Sequence, residues 1–387
     1  MKGSLTILMM FHLFLGSAQK PVLVIPRGHT EGVTTIAFSP DGQYLISGSR
    51  DRTAIIWDTS GHQIKSFRHE LQVKNVRFST DGNSVYTTSS DSRINTARLT
   101  DDSLHAIYKH GEFIGAVSFY DKKKQMAISN EENGALELRD FDGKLIKVLQ
   151  QAQSITAISY SEDGQSILTG SKDQKLVLWN WVNLTKKTFP LKGVTGHSNV
   201  ITQVCLSKDG KFALSSSKDK TAILWNLDGT IRRRINHNVA IMACDISINN
   251  QIVTASEDGV VKIWGSSQQV REFSFQAHAL SINAVCFAPD GNSFLTASND
   301  NTICQWDLNG RLIKRYCGHL KPISFTHFIN DSSENILSMS IDATAGIWNN
   351  ADYTYHSFNI QHSKNPPLVA IPLESKFFIA GGDRGEF

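Results

Sequence analysis

The sequence predicts an all-β protein, a closed array of about eight small antiparallel sheets, with seven or nine allowed. Three observations predict it. A twelve-residue phrase, SGSRDRTAIIWD at 47–58, returns nearly unchanged as SSSKDKTAILWN at 215–226. A turn acid or its amide recurs at Asp51, Asp91, Asn133, Asp173, Asp219, Asp258, Asp300, Asp342 and Asp383, at intervals of 39 to 46 residues. A period of this length marks an array of small β-units. No stretch has an amphipathic helical pattern, whereas short alternating runs bounded by turn residues fill every period.

Each period reads as four strands. In VTTIAFSPDGQYLISGS (33–49) two alternating runs flank Ser-Pro-Asp-Gly, where Pro sets φ and Gly accepts positive φ, a hairpin turn. The turn returns as STDG (79–82), SEDG (161–164), SKDG (207–210) and APDG (288–291). A third strand, TAIIWD, follows the Asp51 turn, and a second turn, TSG (59–61), leads to a fourth, HQIKSF. Radial packing of such sheets around a channel leaves only short edges exposed.

Three further positions keep step with the turn acid. Six residues after it stands Trp57, Trp179, Trp225, Trp264, Trp306 or Trp348. Four before it stands a hydroxyl: Ser47, Thr87, Ser129, Thr169, Ser215, Thr254, Thr296 or Ser338. About twenty-two before it stands a histidine, often after glycine.

With Gly-His, Ser-Pro-Asp-Gly, and Trp-Asp at 57–58 and 306–307, residues 21 to 387 resemble the WD-repeat β-propeller family. The resemblance implies blades of four antiparallel strands and a structural tetrad of His, Ser/Thr, Asp and Trp. Residue by residue, the tetrads are His29, Ser47, Asp51, Trp57; His197, Ser215, Asp219, Trp225; and His237, Thr254, Asp258, Trp264. Two more are His278, Thr296, Asp300, Trp306 and His319, Ser338, Asp342, Trp348. Repeat 2 has Ala97 for Trp, repeat 3 has Asn133 and Arg139, and repeat 4 has Gln151 near the His place; those blades are expected to be less firmly tied.

Ser, His and Asp also suggest a hydrolytic triad, in which Asp orients His and His deprotonates Ser. An enzyme needs one nucleophile in one pocket, whereas copies repeated around a ring suit a hydrogen-bond clip in which every buried polar group has a partner. The sequence therefore predicts no enzyme, cofactor or metal. The cysteines Cys205, Cys244, Cys286, Cys304 and Cys317 lack CxxC spacing and are expected as buried free thiols. A net charge of +3 is too mild to imply nucleic acid or a membrane surface. The basic runs RRR (232–234) and KKK (122–124) fall in a predicted outer strand and a hairpin turn, as solvated charge.

The N-terminus differs. Lys2, an apolar run from Leu5 to Leu15 and then Gly16-Ser17-Ala18 form a signal-like segment, residues 1–18, with cleavage expected after Ala18. The run spans ~16 Å as a helix, short of a ~30 Å bilayer core. The expectation is a secreted or periplasmic monomer, residues 19–387, with no membrane span after cleavage. It resembles exported bacterial WD-repeat proteins, some of which continue into a caspase-type peptidase domain. No such domain follows here, and the chain stops four residues after Asp383, so a fragment is expected. In this family the N-terminal strand, here Val22–Ile25, is expected to close the ring.

Function then rests on surface. The expected role is a scaffold binding a protein or peptide on the face carrying the Asp turns, through the residue before each turn acid: Arg50, Ser90, Glu132, Lys172, Lys218, Glu257, Asn299 and Ile341. The alternatives are an envelope hydrolase or carbohydrate-binding propeller using the central channel, or the sensor part of a longer chain. Propeller fold alone does not decide among them.

Overall fold

The structure is a computed structural model that describes residues 28–101, 103–191, 193–265 and 273–316, together with strands between 323 and 382. The signal-like segment 1–18 and the proposed closing strand Val22–Ile25 lie outside the described residues.

Seven four-stranded antiparallel sheets, at 33–68, 73–109, 114–150, 155–189, 201–236, 241–276 and 282–316, follow one another as blades 1 to 7. In each, neighbouring strands are consecutive in sequence, so every blade is a local meander. The first hairpin forms as the turn residues dictate. In blade 1 the Gly42 amide donates to Ser39 O at 2.9 Å, and Gly42 has a φ of 71° that a Cβ would penalise. The Ser39 hydroxyl accepts the Tyr44 amide at 2.9 Å and donates to Asp41. In blade 3 a short 3-10 turn, Asp121–Lys123, replaces this device, and Lys124 takes the left-handed conformation with a φ of 51°.

The ring closes after seven blades, not eight. The first strand of blade 7, Ile282–Phe287, lies against the first strand of blade 1, Val33–Phe38. Leu295, Ala297, Ile303 and Tyr316 of blade 7 share one buried core with Val33, Ile36, Leu45 and Trp57 of blade 1. Blade 7 has its own outer strand, Leu312–Tyr316, which completes its four strands. The repeat period sets what a blade is; the wedge of side chains packed between blades sets how many fill a circle. Repeat 8 forms a further four-stranded sheet between 323 and 359, and the start of repeat 9 forms a two-stranded sheet, Pro367–Leu373 with Phe377–Gly382. These two sheets pack against one another.

Each first strand pairs along one edge only, and the carbonyls on its free edge need donors. A belt of side chains supplies them from the blade before. Thr34 donates to Val73 O at 2.6 Å, Lys74 to Ile114 O at 3.3 Å, Thr156 to Ile201 O at 2.6 Å and Thr202 to Ile241 O at 2.7 Å. In blade 3 the equivalent residue is Gly115, whose added Cβ would come 3.1 Å from Ile155 O, and the Ser129 hydroxyl donates to that carbonyl at 3.1 Å instead. Blade 6 has Met242 at this place, and Asp245 bridges that joint lower down by accepting the Phe287 amide at 2.8 Å. Asn283 completes the circle by donating to Val33 O at 2.8 Å.

The outer strand Ile231–Asn236 carries the RRR run as expected, but its arginines do not simply point into solvent. Arg232 lies over the Phe212 ring and Arg233 over the Trp264 ring, while Arg234 donates to Thr195 O at 2.8 Å. Cys205, Cys244, Cys286 and Cys304 are free thiols, and Cys317 lies outside the described residues. No helix among the described residues is long and apolar enough to cross a membrane.

The closure geometry makes a prediction. Asn283→Ala should lower stability by about 1–3 kcal/mol, because it strips a donor from a buried carbonyl. Removing residues 323–387 should leave the melting midpoint of the ring unchanged. A larger loss from the truncation than from Asn283→Ala, read by denaturant titration, would put repeat 8 inside the ring.

Candidate functional site: tetrads and the turn face

In blades 1, 5 and 7 the tetrad is a continuous buried chain. The Trp57 indole N–H donates to Ser47 Oγ at 2.8 Å, Ser47 Oγ lies 2.7 Å from His29 Nε2, and His29 Nδ1 lies 3.0 Å from Asp51 Oδ2. Blade 5 repeats it with Trp225 to Ser215 at 2.9 Å, Ser215 to His197 at 2.7 Å and His197 to Asp219 at 2.9 Å. Blade 7 does so with Trp306, Thr296, His278 and Asp300 at 2.8, 2.6 and 2.9 Å. Because the carboxylate can only accept, the histidine Nδ1–H points at it, and Nε2 is left to accept the hydroxyl proton. Ser47, Ser215 and Thr296 are 0% exposed. No substrate reaches an oxygen so enclosed, so the chain of bonds is a clip.

A fifth member belongs to these networks. Thr53, Thr221 and Thr302, two residues after the acid, donate to its other oxygen at 2.6, 2.7 and 2.6 Å and lie 3.1 Å from the histidine Nδ1. Burial pushes the Asp51 carboxyl up, but His29, Thr53 and the Thr30 amide together hold it at about 2. Asp300 is likewise held at about 2 against burial, by His278 and Thr302. Asp219 lies lower still, against burial, through His197 and Thr221.

The remaining blades depart from the pattern in four ways. Blade 4 is tied after all. Gln151 fills the histidine place: its carbonyl accepts the Thr169 hydroxyl at 2.7 Å, its amide reaches Asp173 at 3.4 Å, and Trp179 donates to Thr169 at 3.0 Å. A glutamine cannot act as a base at neutral pH, so this network persists without the proton chemistry a triad needs.

In blade 6 Val260 replaces the threonine, and His237 Nδ1 turns to Ser256 Oγ at 3.0 Å, which donates to Asp258 at 2.6 Å. His237 Nε2 still meets Thr254 at 2.8 Å, but the buried Trp264 indole N–H finds no acceptor. Lys262, which holds the place of Ile55, lies across the Trp264 ring.

Blade 3 carries an ionic substitute. Glu137 lies 3.4 Å from His110 and accepts Arg139 at 2.7 Å, and Arg139 lies over the Tyr108 ring. Its Asn133 anchors the turn by accepting the Ala135 amide at 2.8 Å. Ser129 is not its tetrad hydroxyl: it pairs with Leu136 as Gly48 pairs with Ala54, which turns it toward the next blade. Blade 2, with Ala97 where the tryptophan would be, leaves His69 Nε2 and Thr87 Oγ1 buried without partners. In repeat 8, Ser338 and Trp348 lie on described strands in the register of the other blades, and His319 and Asp342 lie outside the described residues.

The turn face is equally regular. The residue before each turn acid donates its amide to the carbonyl just ahead of the first strand: Arg50 to Gly32, Ser90 to Gln72, Lys172 to Ser154, Lys218 to Val200, Glu257 to Ala240 and Asn299 to Ser281, at 2.9 to 3.1 Å. In blade 3 the turn is one residue longer, so Glu131, not Glu132, takes this place by donating to Phe113 O. Glu131 pairs with Lys74, and Asn299 accepts Asn283 at 2.8 Å. Arg50, Lys172, Lys218 and Glu257 are exposed and make no ion pair among the described residues. Ile341 lies outside the described residues.

The channel offers a cavity of about 370 Å³. Thr34, Lys74, Thr156, Thr202 and Asn283 in its wall are donors of the belt, while Thr35, Asn75, Thr88 and Gln203 also line it and take no part in the belt. Asp245 faces the channel with both oxygens accepting amides, from Ile246 and Phe287 at 2.8 Å each, and burial raises its carboxyl to about 6. No cluster of three metal-ligating side chains occurs among the described residues.

Two predictions follow from the tetrads. Trp225→Phe should cost about 1–3 kcal/mol by removing the buried indole donor to Ser215, and Trp264→Phe clearly less, because its N–H has no partner to lose. Equal costs in denaturant titrations would refute the clip.

The second concerns acid. Burial lowers His69 and His237 from 6.5 to about 4, so the unfolded chain takes up protons first. Their contribution is present above pH 6.5 and is lost as the pH falls toward 4. Asp51 and Asp300, depressed from 3.8 to about 2, contribute above pH 4 and lose that stability as the pH falls toward 2. His237→Gln should flatten the upper part of the stability–pH curve and leave the lower part in place. An unchanged slope between pH 6.5 and 4 would contradict this assignment.

The sequence matches the WD domain, G-beta repeat model at residues 19–58, 143–180, 188–226, 229–265 and 268–307, about half of the chain. Blades 2 and 3 fall between the matches. The chain is 27% identical to nuclear distribution protein nudF of Aspergillus niger over 308 residues, 76% of this chain and 63% of that protein. It is 31% identical to pre-mRNA-splicing factor cwf17 of Schizosaccharomyces pombe over 304 residues, 73% of this chain and 86% of that protein. It is also 26% identical to the WD repeat-containing protein 26 homolog of Arabidopsis thaliana, where the match spans 74% of this chain and 50% of the relative. With its repeated tetrads, seven closed blades and these matches, the chain belongs to the WD-repeat family.

Proposed function

We propose that the protein is a non-catalytic scaffold whose partner, a protein or peptide, docks on the turn face around the channel mouth. The observation that carries this is the ring of equivalent positions, each pinned by the same backbone hydrogen bond but bearing different side chains. Arg50, Lys172 and Lys218 present positive ends, and Glu257 a negative one, on backbone that does not need to reorganise. Fixed, unlike charges select a partner by complementarity and speed its encounter. The relatives named for nuclear distribution and for pre-mRNA splicing are consistent with such a role, although the chain spans less than two thirds of the first of them.

A hydrolase or carbohydrate site in the channel has less support. Five of the channel's polar side chains already hold neighbouring blades together, and the tetrad hydroxyls are closed to solvent. Export of a monomeric chain is part of the same proposal. It rests on the signal-like segment 1–18, and N-terminal sequencing of protein from its native host, starting at or near Gln19, tests it.

The face is tested by reversing three charges together, Arg50→Glu, Lys172→Glu and Lys218→Glu. These exposed side chains support no fold contact, so the melting midpoint should stay within about 0.5 kcal/mol of the parent in stability terms. Partners retained from a host extract should be lost or exchanged. An unchanged set of retained proteins would overturn docking on this face.

A further inference from the structure

Blade 2 holds a cavity of about 560 Å³ on the side that faces blade 1. Asn95 forms part of its wall, and Ala97 lies two residues further along the same strand face, in the core beside it. On this face of the third strand, blade 1 carries Ile55 and Trp57 and blade 5 carries Ile223 and Trp225; blade 2 carries Asn95 and Ala97. Blades 1, 4, 5, 6 and 7 place an indole where blade 2 has Ala97, and blade 3 an arginine. Ala106 of the outer strand and Leu104 just before it give the cavity an apolar wall.

The polar lining is unusual for a mere packing defect. Arg52 and Arg68 come from blade 1 and Arg93 from blade 2. Arg93 is engaged, 2.9 Å from Glu70 and 3.6 Å from Asp91. Arg52 and Arg68 are exposed and hold no ion pair among the described residues. At the inner end His69 is 7% exposed, with Asn95 at 3.5 Å from Nδ1 and no partner at Nε2. Burial keeps its ring neutral near pH 7, with a pKa lowered to about 4. Three guanidinium groups against two carboxylates leave one positive charge to be matched. A single carboxylate matches it, while a doubly charged phosphate would confront Glu70 and Asp91.

We infer that this cavity is a recognition pocket for one carboxylate, that of an aspartate or glutamate side chain presented by a protein partner. The carboxylate sits between Arg52 and Arg68, geometry in which guanidinium groups bind it strongly. Its methylene stem lies on Leu104 and Ala106. The inference rests on the scaffold proposal only for the source of the ligand; the pocket is a separate subsite at the edge of blade 2.

The test uses the full chain, labelled at histidine, and follows the His69 ring by NMR. The probes are a capped Gly-Glu-Gly peptide, its Gly-Gln-Gly counterpart and free succinate. The glutamate peptide should shift the His69 signals saturably and the glutamine peptide should not. Arg52→Ala with Arg68→Ala should weaken the effect at least about tenfold.

Ala106→Trp should abolish binding, because Ala106 forms part of the cavity wall and an indole there fills it. If that variant does not fold, the double arginine variant decides alone. Equal response to the glutamine peptide, or binding that survives both sets of substitutions, overturns the pocket. Succinate binding more tightly than the peptide overturns the protein source of the carboxylate. Because every probe is supplied pure, failure here leaves retention of partners by the turn face as a separate result.

Discussion

The free edge of seven inner strands is the constraint on which the rest of this molecule depends. A strand with one unpaired edge in a packed interior must find donors for its carbonyls or lose several kcal/mol. Here the second residue of each inner strand usually provides one, reaching to the next blade at its first residue. Where the sequence departs, another group takes over: Ser129 for Gly115, and Asp245 lower down at the Met242 joint. The belt fixes the blades' mutual rotation. It also engages five of the polar side chains that line the channel, leaving Thr35, Asn75, Thr88 and Gln203 of the wall outside it.

The tetrads amount to a series of substitutions made within one molecule. Three blades carry the full set with its supporting threonine. A glutamine replaces the histidine in blade 4 with every link kept, and in blade 6 the loss of the threonine reroutes the histidine through Ser256. Blade 3 exchanges the hydroxyl–indole pair for a carboxylate–guanidinium pair. What recurs is polar satisfaction at the buried end of the blades, with several chemistries achieving it. Blade 6 leaves the Trp264 N–H without an acceptor, and blade 2 leaves both His69 Nε2 and Thr87 Oγ1 without partners.

Most of each blade was legible in the sequence, because strands, hairpin turns and tetrads are set by spacings within about forty residues. The number of blades was not. It depends on how Trp57 and Tyr316 pack across the closing joint, and no local pattern reports that wedge. Thr53, Thr221 and Thr302 stand in a repeated Asp-x-Thr, a pattern too short to show by itself that the hydroxyl turns back to the acid and the histidine. The shift from Glu132 to Glu131 follows from one extra turn residue, which only strand register reveals. The cavity of blade 2 depends on Asn95 meeting arginines from the preceding blade, a juxtaposition between blades that no local pattern reports.

The bond from Asn283 to Val33 joins residues 250 apart in the chain, while the other belt bonds span about forty. Closing the larger loop costs roughly 1.6 kcal/mol more in chain entropy. Assembly therefore proceeds as a local zipper, blade upon blade, until a single distant contact turns an open arc into a circle. The arc has two raw ends, and each buries its apolar face only at that last step. The joint between blades 7 and 1 is thus the slow gate of folding and the first seam to part. Amide exchange along Val33–Phe38 and Ile282–Phe287 is where that breathing becomes measurable.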